Sequence, residues 1–255
     1  MNIVAITQAR TGSSRLPNKI MMKINGDSLL KIHVNRIKKS KKINSIIIAT
    51  TISKNDDVIV KEAENLNVKY YRGSELDVLD RFYNSVNKLK PDYIVRLTSD
   101  CPLIDWNLID LIIEKTISGN YDYCSNTIED SFPDGQDVEV FSFDSLFKAW
   151  MKAKLPSERE HVTPFIKKNS DYFGKNLFSA KNIFSKDIRF KDVRITVDEL
   201  DDFKVINLLI DKLGFYDSWQ NYAELYLNDD TIYNINNSIV RNEGYIKSVK
   251  NDLKK

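Results

Sequence analysis

The sequence predicts an α/β protein with a mostly parallel central sheet flanked by helices. Four short β-branched runs, at 2–7, 45–51, 68–73 and 93–99, alternate with stretches that have helical amphipathic spacing. Strands that alternate with helices in this way form a parallel sheet with right-handed crossovers. Such sheets bind ligands beyond the carboxyl ends of their strands, so functional residues are expected there.

The first half of the chain supplies the regular part of this pattern. The runs at 2–7, 45–51 and 93–99 are apolar enough to be buried on both faces, as parallel strands are, whereas 68–73 is more polar. Apolar residues at helical spacing predict helices between the strands, at 27–42, 56–67 and 75–89.

The second half is less regular. Alternating polarity predicts an exposed strand at 137–143, and an apolar run that ends in an acid predicts another at 193–198. Helices are predicted at 105–117, 199–213 and 218–228. The stretches 127–136 and 170–190 are rich in loop residues and are candidates for an arm or lid. The simplest organisation is a single domain, 1–255, with an insertion.

Composition excludes several classes of protein. The 255 residues include 38 Lys and Arg against 36 Asp and Glu, so no bulk charge favours nucleic acid. Two cysteines, Cys101 and Cys124, are too few for a disulfide scaffold, and with two histidines they form no zinc pattern. Without a predicted signal peptide or membrane span, we expect a soluble cytoplasmic protein without nucleic-acid or membrane partners.

The stretch "QARTGSSRLPNK" at 8–19 follows the first predicted strand. Gly12 permits a tight turn after which backbone N–H groups can form an anion nest. Cationic and hydroxyl side chains add further donors, namely Arg10, Ser13, Ser14, Arg15 and Lys19. This set matches a triphosphate. The stretch fits neither the Walker nor the Rossmann pattern, and the alternative is a solvated basic loop.

Two acids follow predicted strands. Asp100 lies in "RLTSDCPLID" and Asp198 in "RITVDELDDF". One or two carboxylates together with phosphate oxygens are the usual ligands of Mg²⁺ beside a nucleotide. The alternative is that each acid caps the helix that follows, although Asp105 is better placed than Asp100 to do so.

Three further stretches combine charges with turns. "YYRGSELDVLDRFY" at 70–83 offers contacts to a base or phosphate, or alternatively a surface turn with helical ion pairs. "PDGQDVEVF" at 133–141 contains several acids, and "PSEREHVTPFI" at 156–166 places Glu158 and Glu160 near His161 in sequence. That histidine is either an acid–base group or a positioning residue.

These stretches, with "RNEGYIKS" at 241–248, resemble in order the cytidylyltransferases of the spore coat polysaccharide biosynthesis protein F type. That family is similar to the CMP-ulosonic acid synthetases for 3-deoxy-manno-octulosonate and sialic acids. The resemblance implies a GT-A-like nucleotidyltransferase fold and transfer of CMP from CTP to an acidic sugar, with release of pyrophosphate and with Mg²⁺ as cofactor. It also implies a homodimer and an acceptor-binding and dimerisation insertion at 127–190.

The resemblance implies roles for individual residues. Nucleotide phosphates would contact Ala9, Arg10, Thr11, Gly12, Ser14, Arg15 and Lys19. Cytosine or ribose would lie beside Arg72, Ser74 and Asp77. Mg²⁺ would be held by Asp100 and Asp198, and catalysis would rest on Arg10, Arg15, Lys19 and Asp100. The acceptor would lie among Gln136, Asp137, Glu139, Glu160 and His161.

Two positions depart from the pattern of these enzymes. Asn18 stands where the loop usually has glycine, and it still tolerates a positive φ. Thr98 stands where the octulosonate enzymes typically have glutamine. Three alternatives stay open, namely a phosphorylated or phosphonate acceptor, a GT-A glycosyltransferase that consumes a nucleotide sugar, and a non-catalytic scaffold.

Overall fold

The computed structural model describes residues 1–252, and its strands and helices follow the predicted alternation. The strands are β1 (Ile3–Gln8), β2 (Lys23–Ile24), β3 (Asp27–Ser28), β4 (Ser45–Thr51), β5 (Lys69–Gly73), β6 (Tyr93–Thr98), β7 (Tyr123–Ser125), β8 (Glu139–Ser142) and β9 (Ala180–Asn182). The α-helices are α1 (Leu29–Ile37), α2 (Asp57–Asn65), α3 (Val78–Val86), α4 (Trp106–Ser118), α5 (Phe143–Lys152), α6 (Pro156–His161), α7 (Pro164–Lys168), α8 (Leu200–Leu213), α9 (Trp219–Asn228), α10 (Asp230–Asn236) and α11 (Glu243–Asp252).

Seven strands form the central sheet, in the order β5-β4-β1-β6-β8-β7-β9. The first four are parallel to one another, which confirms the predicted sheet. β8 is antiparallel to both of its neighbours, and β9 is parallel to β7. The chain leaves β1 towards β4 and β5 and then returns to its other side as β6, so the carboxyl end of β1 lies at a switch point where α/β sheets bind ligands.

Helices cover both faces of the sheet. Apolar residues of α1, α2, α4, α8, α9 and α10 join the core on one face. On the other face, α3, α5 and α7 pack against the sheet. The predicted architecture of a sheet between two helical layers is therefore confirmed, and the strand ends are left free at one edge.

Several predicted helices are confirmed with shorter bounds. α1 covers only part of 27–42, and its first turn is capped by Ser28, whose Oγ accepts from Lys31 N at 3.0 Å. Asp105 caps α4 as expected, since its Oδ1 accepts from the backbone of Asn107 at 2.7 Å and of Leu108 at 3.2 Å. This cap leaves Asp100 free for another role. Within residues 1–252, no helix is long and apolar enough to cross a membrane.

The strand predicted at 137–143 is confirmed as β8, but its predicted exposure is wrong. β8 lies inside the sheet between β6 and β7, and Val140 and Phe141 are fully buried. The polar position that suggested exposure is Glu139, which is itself buried because it forms an ion pair with Arg96 on β6. β8 and β9 both come from 127–190, so this range contributes to the central sheet.

The stretch 193–198 does not form the predicted strand. It is extended, but its backbone bonds to loops: Asp134 N donates to Val193 O at 2.9 Å, Ile195 N to Asp134 O at 2.8 Å, and Val197 N to Asp100 O at 2.8 Å. Its apolar side chains are buried, which explains the strand-like sequence. The segment therefore places Asp198 close to Asp100, although it is not part of the sheet.

Candidate active site

A cleft of about 930 Å³ opens beyond the carboxyl ends of β1 and β6. The loop after β1, the end of β6, the 127–139 segment, the α6–α7 region and residues 242–245 all contribute to its lining. Its volume falls in the range that small-molecule pockets occupy, roughly 300–1,000 Å³. A large cleft therefore lies where the sequence predicts the site.

Hydrogen bonds to Asp56 hold the loop after β1 in place. Thr11 donates to Oδ1 of Asp56 through both its backbone N, at 2.8 Å, and its Oγ1, at 2.7 Å. Burial raises the pKa of Asp56, but hydrogen bonds from Thr51 and Thr11 outweigh this and lower it. Asn18 has the predicted positive φ, at 59°. The loop is thereby fixed to the end of β4, and its turn directs Lys19 inward.

Lys19 forms the floor of the cleft. Its Nζ donates to Oδ2 of Asp100 at 3.1 Å, to the carbonyl of Val197 at 2.8 Å and to Oδ1 of Asp198 at 2.7 Å. The loop after β1 and the two strand-end acids predicted from sequence thus meet at one atom.

Lys19 and Asp100 are both charged at neutral pH. Burial alone would lower the pKa of Lys19, but the two carboxylates outweigh it and raise that pKa. Burial alone would raise the pKa of Asp100, but the Lys19 ammonium outweighs it and holds that pKa at about 2. The Asp100 carboxylate is therefore available as an anionic oxygen ligand.

The donor set at this floor fits Mg²⁺. The side chains of Asp100 and Asp198 keep 30% and 21% of their surface exposed, and both lie within 3.1 Å of the Lys19 ammonium. Within residues 1–252, no cluster of three or more His, Cys, Asp or Glu forms a metal site of its own. Two carboxylates suit a magnesium ion that shares its other ligands with phosphates and water.

The remaining loop residues lie around the mouth of the cleft. Nη2 of Arg15 lies 2.9 Å from Oδ1 of Asp198. Nη1 of Arg10 lies 3.3 Å from Oε1 of Glu75 and is half-exposed. The cleft thus brings together these predicted nucleotide, catalytic and metal residues: Ala9, Arg10, Ser14, Arg15, Lys19, Asp100 and Asp198.

Several residues predicted for nucleotide binding lie outside the cleft lining, namely Thr11, Gly12, Arg72, Ser74 and Asp77. Arg72 donates to Asp57 at 2.6 Å and to the carbonyls of Thr51 and Ser53 at 2.8 and 2.6 Å. Asp77 forms an ion pair with Arg159 at 2.5 Å and caps α3. Arg72 and Asp77 thus already have charged partners, and the nucleotide contacts of all five residues stay predictions.

Gln136 also requires a correction, since it was expected beside the acceptor. It is fully buried, its Nε2 donates to Leu103 O at 2.8 Å, and its Oε1 accepts from Asp105 N at 3.0 Å. Both ends of the amide are therefore used to tie the 127–136 loop to the turn before α4.

The other predicted acceptor residues do line the cleft, namely Asp137, Glu139, Glu160 and His161. Glu139 accepts from Tyr123 Oη at 2.6 Å and Thr163 Oγ1 at 2.5 Å, besides its ion pair with Arg96. Burial raises the pKa of Glu139, but the Arg96 guanidinium and these hydrogen bonds outweigh it and lower that pKa. This carboxylate is thus held ionised within the wall.

His161 stands at a strained turn. Val162 has φ 72° and ψ −56°, and Thr163 N donates to His161 O at 2.8 Å, which makes a γ-turn. A β-branched residue rarely adopts this conformation, and such strain is typical of functional sites. Burial and the nearby Arg96 charge lower the pKa of His161, so its imidazole is neutral at pH 7.

Buried acids lie deeper in the same wall. Burial and the Asp137 charge raise the pKa of Asp134 to about 7, against the opposing effect of two arginines. Arg194 lies 2.6 Å from Oδ2 of Asp134, and Arg241 lies 3.0 Å from Oδ1 of Asp137. The acids are therefore each tied to a cation from the second half of the chain.

The cleft also holds cations and an aromatic residue that sequence reasoning missed, namely Arg81, Arg96, Arg159, Lys167 and Tyr245. Arg96 carried a usable signal, because it interrupts the apolar run "YIVRLTS" of a buried strand. Cys101 also lines the cleft, but it is buried, and burial together with Asp100 raises the pKa of its thiol well above the ordinary value. The thiol is therefore not a reactive nucleophile.

The chain matches known proteins along most of its length. A family model described as cytidylyltransferase covers residues 4–238. The chain is 44% identical over 206 residues to an uncharacterized protein from Methanocaldococcus jannaschii, which covers 80% of this chain and 82% of that one. It is 32% identical over 218 residues to the spore coat polysaccharide biosynthesis protein SpsF of Bacillus subtilis, covering 84% of this chain and 88% of that one.

Two further matches concern proteins with a stated activity. A 3-deoxy-manno-octulosonate cytidylyltransferase from Francisella tularensis subsp. novicida is 30% identical over 167 residues, covering 62% of this chain and 66% of that one. The solved structure of a cytidylyltransferase from Leptospira borgpetersenii superposes with a TM-score of 0.85 at 29% identity, over 94% of this chain and 99% of that one.

Proposed function

Because the chain belongs to the cytidylyltransferase family, and is thus a nucleotidyltransferase, we propose that it transfers CMP from CTP to an acidic, ulosonic-acid-like sugar. The products are the CMP-sugar and pyrophosphate. The names of the relatives support a place in surface polysaccharide or glycan synthesis. The observation that carries the proposal is the meeting of Lys19 with Asp100 and Asp198 at the floor of the cleft.

The loop after β1 is proposed to bind the triphosphate. Arg10, Arg15 and Lys19 face the cleft with three positive charges, and Ser14 adds a hydroxyl donor. Charge-assisted hydrogen bonds to phosphate are about twice as strong as neutral ones. When the nucleotide binds, its phosphates compete with Asp198 for Arg15 and Lys19, which frees carboxylate oxygens at the floor.

Those carboxylates are proposed to hold Mg²⁺. Once bound, the ion would neutralise negative charge on the phosphates and on the departing oxygen. In the transfer, the acceptor hydroxyl gives its proton to solvent and its oxygen bonds to the α-phosphorus. The bond between that phosphorus and pyrophosphate breaks in line, and pyrophosphate leaves with the electron pair. Arg15 and Lys19 stabilise the charge that grows on pyrophosphate, each by roughly 2–4 kcal/mol.

The acceptor is proposed to lie against Asp137, Glu139, Glu160 and His161. These side chains offer hydrogen-bond acceptors to sugar hydroxyls, and the homologous octulosonate enzyme supports an acidic sugar. A second candidate is a phosphorylated or phosphonate acceptor, which the additional cations of the cleft favour, namely Arg81, Arg96, Arg159 and Lys167. The homodimer built partly through 127–190 and the cytoplasmic location stay predictions.

The test is pyrophosphate release from CTP and Mg²⁺ with a panel of ulosonic acids, sugar phosphates and phosphonates. We expect Asp100→Asn to reduce the rate at least about 100-fold, because it removes a charged group that acts in the transition state. Asp144→Asn is the control, since Asp144 is exposed on α5 outside the cleft. Circular dichroism checks that both variants fold.

Near-normal turnover of Asp100→Asn would refute its proposed metal role. If the wild type turns over only with phosphates or phosphonates, the acceptor is a phosphorylated or phosphonate molecule and not an acidic sugar. Consumption of a nucleotide sugar with no use of CTP would favour a glycosyltransferase.

A further inference from the structure

The stretch "RNEGYIKS" at 241–248 helped to carry the family resemblance, yet none of the roles derived above uses it. Its first residue is anchored in the wall of the cleft. Arg241 donates to Phe132 O at 2.9 Å and to Oδ1 of Asp137 at 3.0 Å, and it lies 3.4 Å from Oδ1 of Asp130. Burial lowers the pKa of Arg241, but the surrounding carboxylates outweigh it and raise that pKa, so the anchor is permanently charged.

Beyond the anchor, α11 lies along α6. Ser248 Oγ donates to Oε2 of Glu160 at 2.7 Å. At the far end, Ser157 donates to Asp252 through its backbone N, at 3.1 Å, and through its hydroxyl. The segment 241–252 is therefore fixed at its start, its middle and its end.

This attachment is unlike core packing. None of the α11 residues is buried, so the helix adds little to the hydrophobic core. It is attached instead by polar contacts, two of which reach the cleft residues Arg15 and Glu160. We therefore expect the segment to contribute to the cleft more than to the stability of the core.

The segment presents four consecutive residues to the cleft, from Asn242 to Tyr245. The ring of Tyr245 meets the ring of His161 edge-on, with 5.1 Å between centroids. The strained turn at Val162 fixes His161 from the other side. Glu243 lies 3.6 Å from Nη1 of Arg15, so the segment also touches the proposed nucleotide loop.

We propose that 241–245 forms the outer wall of the acceptor site, with Arg241 as a positioning residue and Tyr245 as a specificity-determining residue that packs against the acceptor. The proposal rests on the proposed function. An aromatic ring with a polar tip suits a polyhydroxylated ring acceptor, because its face covers C–H groups while its hydroxyl bonds to oxygens. CTP is proposed to lie against the loop after β1, which the segment touches through Glu243 rather than through Tyr245.

The test compares KM values for the acceptor and for CTP in the pyrophosphate-release assay. We expect Tyr245→Ala to raise the acceptor KM roughly tenfold or more, which corresponds to a lost aromatic contact of about 1.4 kcal/mol. The KM for CTP should change less than about twofold, since the tyrosine does not contact the nucleotide. Tyr245→Phe keeps the ring and should recover most of the acceptor affinity.

Lys250→Ala is the matched control on the same helix, because Lys250 is exposed and outside the cleft. Arg241→Lys is the second variant. This variant keeps the positive charge but cannot make the paired hydrogen bonds of the guanidinium group. We expect it to raise the acceptor KM without lowering the thermal unfolding midpoint of the protein. Equal acceptor KM values for wild type and Tyr245→Ala would refute the proposed acceptor contact of Tyr245. The proposed cytidylyltransferase activity would not be affected by that result. A wild-type protein that releases no pyrophosphate with any member of the panel would overturn both proposals.

Discussion

Lys19 holds the floor of the cleft together in the free protein. Its ammonium is shared by Asp100 and Asp198, and its side chain is only 11% exposed. Two carboxylates at such short range repel each other once their common cation is removed. The lysine therefore has a structural task in addition to the phosphate contact that we propose for it.

We expect Lys19→Met to lower the free energy of unfolding at pH 7 by about 3 kcal/mol, because two partly buried carboxylates lose their partner. In the wild type, the low pKa of Asp100 stabilises the fold fully above the ordinary value of 3.8, and this contribution is lost as the pH falls to about 2. The variant should show no such loss. Urea unfolding between pH 2 and 7 measures both effects.

Lys23→Met is the control for this substitution, since Lys23 is exposed on β2. It should leave both the stability at pH 7 and the acid dependence unchanged. A Lys19→Met protein as stable as the wild type at pH 7 would contradict the role of the shared ammonium.

At the scale of elements, the loop after β1 depends on one residue of unusual conformation. Asn18 has φ 59° and ψ 15°, and its side chain makes no capping hydrogen bond. Its backbone N donates to Thr11 O at 2.9 Å, which closes the loop just before Lys19. Asparagine and glycine tolerate this left-handed conformation better than other residues.

We expect Asn18→Ala to destabilise the protein by about 1 kcal/mol, the cost of placing a Cβ-bearing residue without a local hydrogen bond in that conformation. Asn18→Gly should be neutral within about 0.5 kcal/mol, because glycine adopts the same φ without strain. Thermal or urea unfolding of the pair measures the difference. Equal stabilities of the two variants would mean that the backbone changes its conformation.

At the scale of the whole molecule, His33 connects the layers beneath the cleft. It is fully buried on α1, its Nε2 lies 3.0 Å from Thr7 Oγ1 on β1, and its Nδ1 lies 2.8 Å from Cys101 O beyond β6. Since a carbonyl only accepts, Nδ1 carries the proton and Nε2 accepts from the threonine. Burial lowers the pKa of His33 to about 4.

This buried imidazole predicts an acid-sensitive fold. Because the unfolded chain takes up the proton near pH 6.5 and the folded protein only near pH 4, stability should decrease by about 3 kcal/mol as the pH falls through that window. His33→Gln should flatten the curve there while lowering stability at pH 7. Denaturant unfolding from pH 7 to 4 tests this; a His33→Gln slope equal to that of the wild type would assign the acid sensitivity to other groups.

The sequence predicted the parallel half of the sheet and the place of the cleft. Buried parallel strands such as β1 and β4 have long apolar runs, and residues that follow such runs lie at one edge of the sheet. The positions of Lys19 and Asp100 could therefore be inferred from spacing and charge, whereas Asp198 reaches the same edge from an extended segment outside the sheet.

What the sequence did not reveal depends on long-range pairing. Glu139 is polar in sequence but buried in the structure, because Arg96 on a neighbouring strand neutralises it. Arg72 and Gln136 were predicted to contact ligands, yet they already donate to the backbone carbonyls of Thr51 and Leu103. Local patterns do not report which partner a polar side chain finds after folding.

The shared ammonium of Lys19 has a consequence for the order in which the protein assembles. Its two carboxylate partners are 81 and 179 residues away along the chain. Contacts of such high sequence separation form late in folding and open early under stress, because they carry the largest loop-closure cost. We therefore expect the residues around Lys19 to reach their folded positions last. In mild denaturant, activity should be lost while most of the helices are still folded.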